Sequence, residues 1–435
     1  MAFIDASPTP FHAVRAASSL LEAAGFSRLE EAEAFPHEPG RHFVVRGGSL
    51  VAWSSLVDGG AATPFRVVGA HTDSPNLRIK PQPDLARAGW QQLGVEVYGG
   101  PLLSSWLDRD LGLSGRVVVR ERAPEGAEES DRARVGSRLL TGLDPVLRVA
   151  ELAIHLDRSA NDALTLNRQQ HLAPIWGVGA LPGDFRAWLA EQVTVDVDDI
   201  LGWDVMTHDL QGSRRIGRDG DLIAAPRLDN LATTFAGVRA LVETTGEGAP
   251  AATAGDPAYR PVLALFDHEE VGSVSERGAA STLLPAVLER VVLAAGGDRE
   301  DYLRALAGTV VASGDMAHAT HPNYADRHEP QHQIQVNAGP VLKVNAQLRY
   351  ATDGVGAAVF ALACDQAGVP LQRFVTRTDL PCGSTVGPVT SSLTGATTVD
   401  VGAPMLSMHS ARELCGAADP AMYAAALAAF LRPAT

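Results

Sequence analysis

Four times along this chain a short apolar run gives way at once to polar residues. Phe65 to Ala70 leads into His71-Thr72-Asp73, Pro261 to Phe266 into Asp267-His268-Glu269-Glu270, and Thr309 to Ser313 into Asp315, while Thr397 to Val401 precedes His409 by a short loop. Runs of this length and composition predict buried strands. Helical spacing appears elsewhere. Thr9 as a cap and Pro10 in the first turn precede Phe11, Val14, Leu20 and Leu21 on one face, before Gly25. Asp144-Pro145 opens a second predicted helix carrying Val146, Val149, Leu152, Ala153 and Leu156, and Asp419-Pro420 opens a third. Strands alternating with helices predict an α/β fold, a sheet flanked by helices. In such sheets ligands bind beyond the carboxyl ends of the strands, so the four polar clusters predict one site assembled from distant segments.

Between roughly Leu85 and Ala224 the pattern changes. Short β-prone runs such as Val95 to Tyr98 and Val117 to Val119 alternate with a charged, glycine-containing loop around Glu121 to Gly136. This reads as an inserted domain at residues 85–224, with residues 1–84 and 225–435 forming the main one. A chain of 435 residues exceeds what a single core usually supports, which agrees with two units. The Gly-, Ala- and Pro-rich stretch Thr245 to Tyr259 reads as a mobile surface loop of the main domain. No repeat of fixed period is present.

Charge and cysteine content narrow the function. Lys and Arg number 36 against 51 Asp and Glu, a net charge of −15 that repels polyanions and argues against nucleic-acid binding. An acidic substrate would need a local cationic pocket. The three cysteines, Cys364, Cys382 and Cys415, form no CxxC pair and suggest neither a disulfide framework nor a thiolate metal site, which fits a reducing cytoplasm. Neither a signal-peptide pattern nor a run of 18 apolar residues is found, so export and membrane spanning are not expected.

Without thiolates, imidazole and carboxylate are the usual protein ligands of a catalytic zinc, and two metals sharing a bridging carboxylate need about five or six such groups. His71, Asp229, Glu270, Asp315 and His409 are the candidate ligands. Glu269 is left over beside Glu270 as a general base toward water held by the metals. Asp73, two residues after His71, is spaced to accept the other ring N–H of that histidine and fix its tautomer. Each residue also has a plainer reading. A His or Asp after a strand is commonly a turn former, Asp229 could cap a helix whose apolar face is Leu231, Phe235, Val238 and Leu241, and the DHEE run could be a solvated acidic loop.

The strings GAHTDSPNLRIKP (Gly69 to Pro81), RLDNL (Arg227 to Leu231), FDHEEVGS (Phe266 to Ser273), SGDMAHATHPNY (Ser313 to Tyr324), KVNAQLRYATD (Lys343 to Asp353), PCGSTVGP (Pro381 to Pro388) and SMHSARE (Ser407 to Glu413) resemble those of the aspartyl aminopeptidases, in register over nearly the whole chain. The resemblance implies a zinc-peptidase α/β catalytic domain, a mixed sheet flanked by helices, carrying an inserted, mainly β dimerisation domain. It implies that His71, Asp229, Glu270, Asp315 and His409 bind two zinc ions, with Asp229 bridging, Glu269 as base and Asp73 in support. Cobalt or manganese could substitute, since both accept N and O ligands. The activity implied is removal of N-terminal Asp or Glu from peptides, and the assembly implied is dimers forming a tetrahedral dodecamer.

The segment LAIHLDRSANDALTLNRQQHLAPIW resembles a family stretch whose second histidine reaches the neighbouring subunit's active site, which implies that role for His171. Acidic specificity requires a cation or hydrogen-bond donors. Lys343 is the first candidate, with Tyr350 and the Gly383-Ser384-Thr385 turn as helpers; a solvated strand-end lysine and an ordinary turn are the alternatives. His268, His318, His321, His328 and His332 are read as packing, supporting or surface residues. Two other functions share these features: a dinuclear-zinc peptidase or deacylase of the same fold with general or glutamyl specificity, and a catalytically silent assembly subunit or metal-binding scaffold. Retention of an unligated Glu269 argues against the scaffold.

Overall fold

The four apolar runs all become strands, Phe65–His71, Arg260–Phe266, Val310–Gly314 and Thr397–Gly402. They lie side by side and parallel, in the order Arg260–Phe266, Phe65–His71, Val310–Gly314, Thr397–Gly402. In this computed structural model residues 1–56, 59–122, 133–180, 183–246 and 258–434 are described. Most of the expected charged loop of 121–136 and of the expected loop at Thr245 to Tyr259 lies outside those residues. The described chain is mixed α/β and divides into two compact units: Met1–Ser74, Ser213–Met408 and Glu413–Thr435 form one, and Pro75–Gly212 with His409–Arg412 the other.

In the first unit the four parallel strands are the centre of a nine-stranded sheet. Ser27–Arg28, Arg41–Arg46 and Ser49–Ser54 extend it beyond Arg260–Phe266, and Val341–Val344 and Gln372–Val375 beyond Thr397–Gly402. Alternate residues of the strands feed two cores. Val68, Ala70, Leu263, Leu265, Val399 and Val401 pack with helices Pro10–Ala23, Leu228–Thr245, Gly354–Ala367 and Asp419–Leu431. Phe65, Val67, Val262, Phe266 and Val311 pack on the other face with Leu283–Ala294 and Arg299–Ala307. Burial on both faces explains why these strands read as continuous apolar runs rather than alternating ones. Each fully buried Leu, Val or Phe contributes roughly 1.5–3 kcal/mol, which fixes the strand ends where the polar residues begin. A five-stranded sheet, in the order Arg214–Ile216, Leu222–Ala225, Glu413–Gly416, Pro404–Leu406, Ala317–His318, completes the unit.

The second unit is built on a six-stranded antiparallel sheet ordered Ala133–Thr141, Leu111–Arg122, Ile200–Asp209, Asn76–Arg87, Trp90–Tyr98, Ile175–Val178. Leu77, Leu93, Leu113, Val117, Phe185 and Leu189 form its core. Helix Phe185–Val193 starts at Asp184, whose carboxylate accepts from Ala187 N at 2.9 Å.

Helices Pro10–Ala23 and Asp419–Leu431 form as expected, with two differences in the first. The Thr9 hydroxyl bonds the His12 ring at 2.7 Å instead of capping the backbone, and Leu20 faces outward, Ala13 and Ala17 taking the buried stripe. The helix expected from Asp144-Pro145 does not form. Leu147 and Val149 are buried and Arg148 between them is exposed, a period of two, and the three bridge to Leu111, Leu107 and Ile175. Strand partners for these backbone groups outweigh the helical spacing, and Leu152 and Leu156 are left exposed. No helix of the described residues is long and apolar enough to cross a membrane.

Candidate metal centre

His71 is the last residue of its strand and Asp315 follows Gly314 directly, so both stand at the carboxyl edge of the central sheet. Gly402 permits the second placement: a Cβ there would lie 1.8 Å from the Asp315 carbonyl oxygen, while Asp315 N donates to Val401 O at 2.9 Å. Asp229 and Asn230 have non-helical backbone at the start of Leu228–Thr245, φ −80° and ψ 108° for Asp229. Asp229 therefore does not act as the simple cap that its position would allow. Its Oδ1 lies 3.3 Å from His71 Nε2, which is also 3.7 Å from Asp315 Oδ1 and 3.9 Å from Glu269 Oε2.

The acid pair is shaped by its backbone. His268 takes a left-handed φ of 64° and turns the chain out of strand Arg260–Phe266 into the short 3-10 turn Glu269–Val271. The buried Asp73 carboxylate then accepts from Glu269 N and Glu270 N, each at 3.1 Å. On its other side Asp73 meets His71 Nδ1, chiefly through its backbone oxygen at 3.0 Å, with Oδ1 at 3.4 Å. One residue thus orients the imidazole and both glutamates.

Sequence reasoning missed four further holders. Ser74 Oγ donates to Asp229 O at 2.7 Å, Asp229 N to Glu413 Oε2 at 3.0 Å, Thr234 Oγ1 to His71 O at 2.8 Å, and Asn230 Nδ2 to Gly314 O at 2.8 Å. Ser74, Asn230 and Glu413 lie within the quoted motifs, which was the available signal.

Within this unit two groups of side chains bring ligand atoms within 4.8 Å of one another and could hold a metal ion: His71 with Glu269 and Glu270, and His71 with Asp229 and Asp315. The donors are imidazole and carboxylate only, a set suited to zinc. The electrostatics favour a cation as well. Burial alone would lower the His71 pKa, but hydrogen bonds that its ring donates to Asp229, Asp315 and Asp73 outweigh it and hold the value well above the ordinary range. Burial pushes the Glu269 carboxyl from 4.5 up to about 8, opposed by His71 and reinforced by Asp315, Asp73 and Asp229.

Both shifts mean that the folded, metal-free site binds protons more tightly than the unfolded chain. That contribution is present at low pH and is lost as pH rises through 4.5 towards about 8 for Glu269, and above 6.5 for His71. Chelated protein should therefore lose thermal stability between about pH 5 and pH 8, Glu269→Gln should flatten the decline, and readded zinc should raise the Tm most at the alkaline end. A Tm for the chelated form that climbs over this range contradicts the reading.

The remaining candidates fall in several places. Lys343 is not a solvated strand-end residue: it is buried, with Nζ 3.6 Å from Asp315 Oδ2 and donating to Met316 O at 3.3 Å. Its ammonium lies 5.1 Å from the centre of the Tyr350 ring. Tyr350 and Gly383 line a cavity of about 310 Å³ with His318, His321, His328 and Cys382. Ser384 Oγ donates to Arg349 O at 3.2 Å, and Thr385 caps helix Val386–Thr394 while bonding the Asp400 carboxylate. His268 bonds Ser275 Oγ at 2.8 Å, His332 bonds Glu329, and the His321 ring meets the Tyr324 ring at a tilt of 60° with centroids 4.9 Å apart. In the second unit, His409 has a left-handed φ of 66° and its Nδ1 lies 3.0 Å from Gly100 O. His171 is exposed on a turn, its Nδ1 accepting from Asn167 N at 3.1 Å.

Comparison with known proteins agrees with this donor set. The family model described as aminopeptidase I zinc metalloprotease (M18) matches residues 3–431. The chain is 55% identical over 428 residues to a probable M18 family aminopeptidase 2 of Mycobacterium leprae, covering 98% of this chain and 96% of that one. Its fold superposes on Ape4 in the cryo-EM structure of the Ape4 and Nbr1 complex with a TM-score of 0.90 at 35% identity, covering 99% of this chain and 84% of that one. The S. cerevisiae mApe1 dodecamer gives 0.83 at 26% identity, covering 99% and 94%. The chain belongs to the M18 family of zinc metalloproteases, the aminopeptidase I family.

Proposed function

We propose that this M18 aminopeptidase removes acidic residues, Asp or Glu, from peptide N-termini. The observation that carries the reading is the buried Lys343 ammonium beside Asp315, a fixed positive charge at the edge of the acidic cluster in a chain of net charge −15. His71, Asp229, Glu270, Asp315 and His409 would hold two zinc ions, Asp229 between them, with cobalt or manganese as possible substitutes. When bound, such ions acidify water and polarise a carbonyl. Glu269 takes the proton from the attacking water and returns it to the departing amine. Asp73 keeps His71 and the glutamate backbone in place for that transfer. Lys343, with Tyr350 and the Gly383–Thr385 turn, receives the substrate's side-chain carboxylate. The second unit, Pro75–Gly212 with His409–Arg412, is read as the dimerisation domain expected at residues 85–224, through which a second copy's His171 would steady the substrate. A dodecamer built from such dimers is supported by the dodecameric mApe1 neighbour, and a cytoplasmic location by the cysteine content.

A charge-assisted hydrogen bond contributes about 1.5–3 kcal/mol, so N-terminal Asp or Glu should be released roughly 10- to 100-fold more efficiently than Ala or Leu, in kcat/KM. Rates on four matched substrates decide the matter, and a preference for Leu overturns the specificity.

A further inference from the structure

Asp400 is fully buried, lies in none of the candidate metal groups found among the described residues, and is bonded or strand-paired to the segments that carry Lys343, Tyr350 and the Gly383–Thr385 turn. In strand Thr397–Gly402 it is paired with Ser313 on one neighbouring strand and with Lys343 on the other. Paired residues share a face, so Ser313, Asp400 and Lys343 form a polar row across the sheet, two residues before Asp315. The carboxylate gathers donors from three directions. Ser313 Oγ donates to Oδ1 at 2.7 Å, Ala351 N to Oδ2 at 2.5 Å, and the Thr385 hydroxyl also bonds Oδ1. Ala351 follows Tyr350, and Thr385 ends the Gly383–Thr385 turn. The backbone of the helix behind that turn must come close: a Cβ on Gly387 would lie 2.5 Å from Asp400 Oδ2. A buried carboxylate is costly unless it is paired and hydrogen-bonded, and the Lys343 charge acts on this one.

We infer that Asp400 is a positioning residue for specificity, holding the Lys343 ammonium, Tyr350 and the Gly383–Thr385 turn in the arrangement that receives an acidic side chain. This rests on the acidic-substrate reading above. Asp400 touches neither substrate nor the reacting atoms; it acts through Lys343 and the turn.

The test compares wild type, Asp400→Asn, Lys343→Met and the double variant, with kcat/KM on Asp-terminal and Ala-terminal substrates and zinc content measured for each. Asp400→Asn should keep its zinc and lower the Asp:Ala ratio by about 10-fold, mainly through KM, the size expected when a charge-assisted contact is displaced. In the Lys343→Met background it should change the ratio by less than about 2-fold, because coupled residues are not additive. An equal loss on both substrates, or full additivity in the double variant, overturns the inference and leaves Asp400 as a structural carboxylate. If Asp400→Asn does not fold, Ser313→Ala removes one of its hydrogen bonds and should lower the ratio in the same direction; an unchanged ratio there overturns the inference too. A wild-type ratio near one instead refutes the acidic-substrate reading on which the inference stands, so the two failures are told apart.

Discussion

Glu269→Gln should retain zinc and lose at least ~100-fold in kcat, since general acid–base catalysis by a positioned side chain contributes about 10²–10⁴-fold. The glutamine keeps the shape of the side chain, and its backbone N–H can still donate to Asp73. What it loses is basicity. The zinc measurement matters because Glu269 also lies within ligand distance of His71 and Glu270. Loss of metal together with activity would make Glu269 a ligand and remove it as the base; near-normal turnover would remove it from the chemistry.

Asp229→Asn should have the larger effect, a fall of about 10³-fold or more, because a metal site contributes several kcal/mol of charge stabilisation to the reaction. Asp229 Oδ1 is the carboxylate atom nearest His71 Nε2, at 3.3 Å against 3.7 Å for Asp315. An amide there presents a neutral oxygen or an N–H, and neither replaces the charge. The backbone contacts to Glu413 and Ser74 do not involve the altered group, so the fold should persist, while the chelated protein should lose part of the low-pH stability that the His71–Asp229 contact supplies. Activity within a few fold of wild type at saturating zinc would exclude Asp229 as a ligand.

Much of the site was legible because each of its strands is buried on both faces, so an apolar run ending in a polar residue marks a sheet edge without ambiguity. His71, Asp315 and the DHEE turn were found that way. Asp229 was not separable from a helix cap by spacing, because only its non-helical backbone turns it from the helix that follows. Asp400 left no signal, being one polar residue inside an apolar strand whose donors are 49 or more positions away except for Thr385, 15 positions off. Lys343 looked like a solvated strand end as readily as a cation of the site, since burial depends on neighbours remote in sequence. The helix expected after Asp144-Pro145 failed for a related reason: Val149 fits helical spacing with Val146 and Leu152 but also a period of two with Leu147, and the strand partners Leu111, Leu107 and Ile175 decided between them.

The central claim is that His71, Asp229, Glu269, Glu270 and Asp315 surround metal. Anomalous diffraction at the zinc absorption edge, from crystals of zinc-loaded protein, tests it directly. Two peaks about 3.5–4 Å apart, one on either side of Asp229 and one of them bonded to His71 Nε2, are expected. No peak among these side chains, or zinc bound only elsewhere on the chain, would contradict the account.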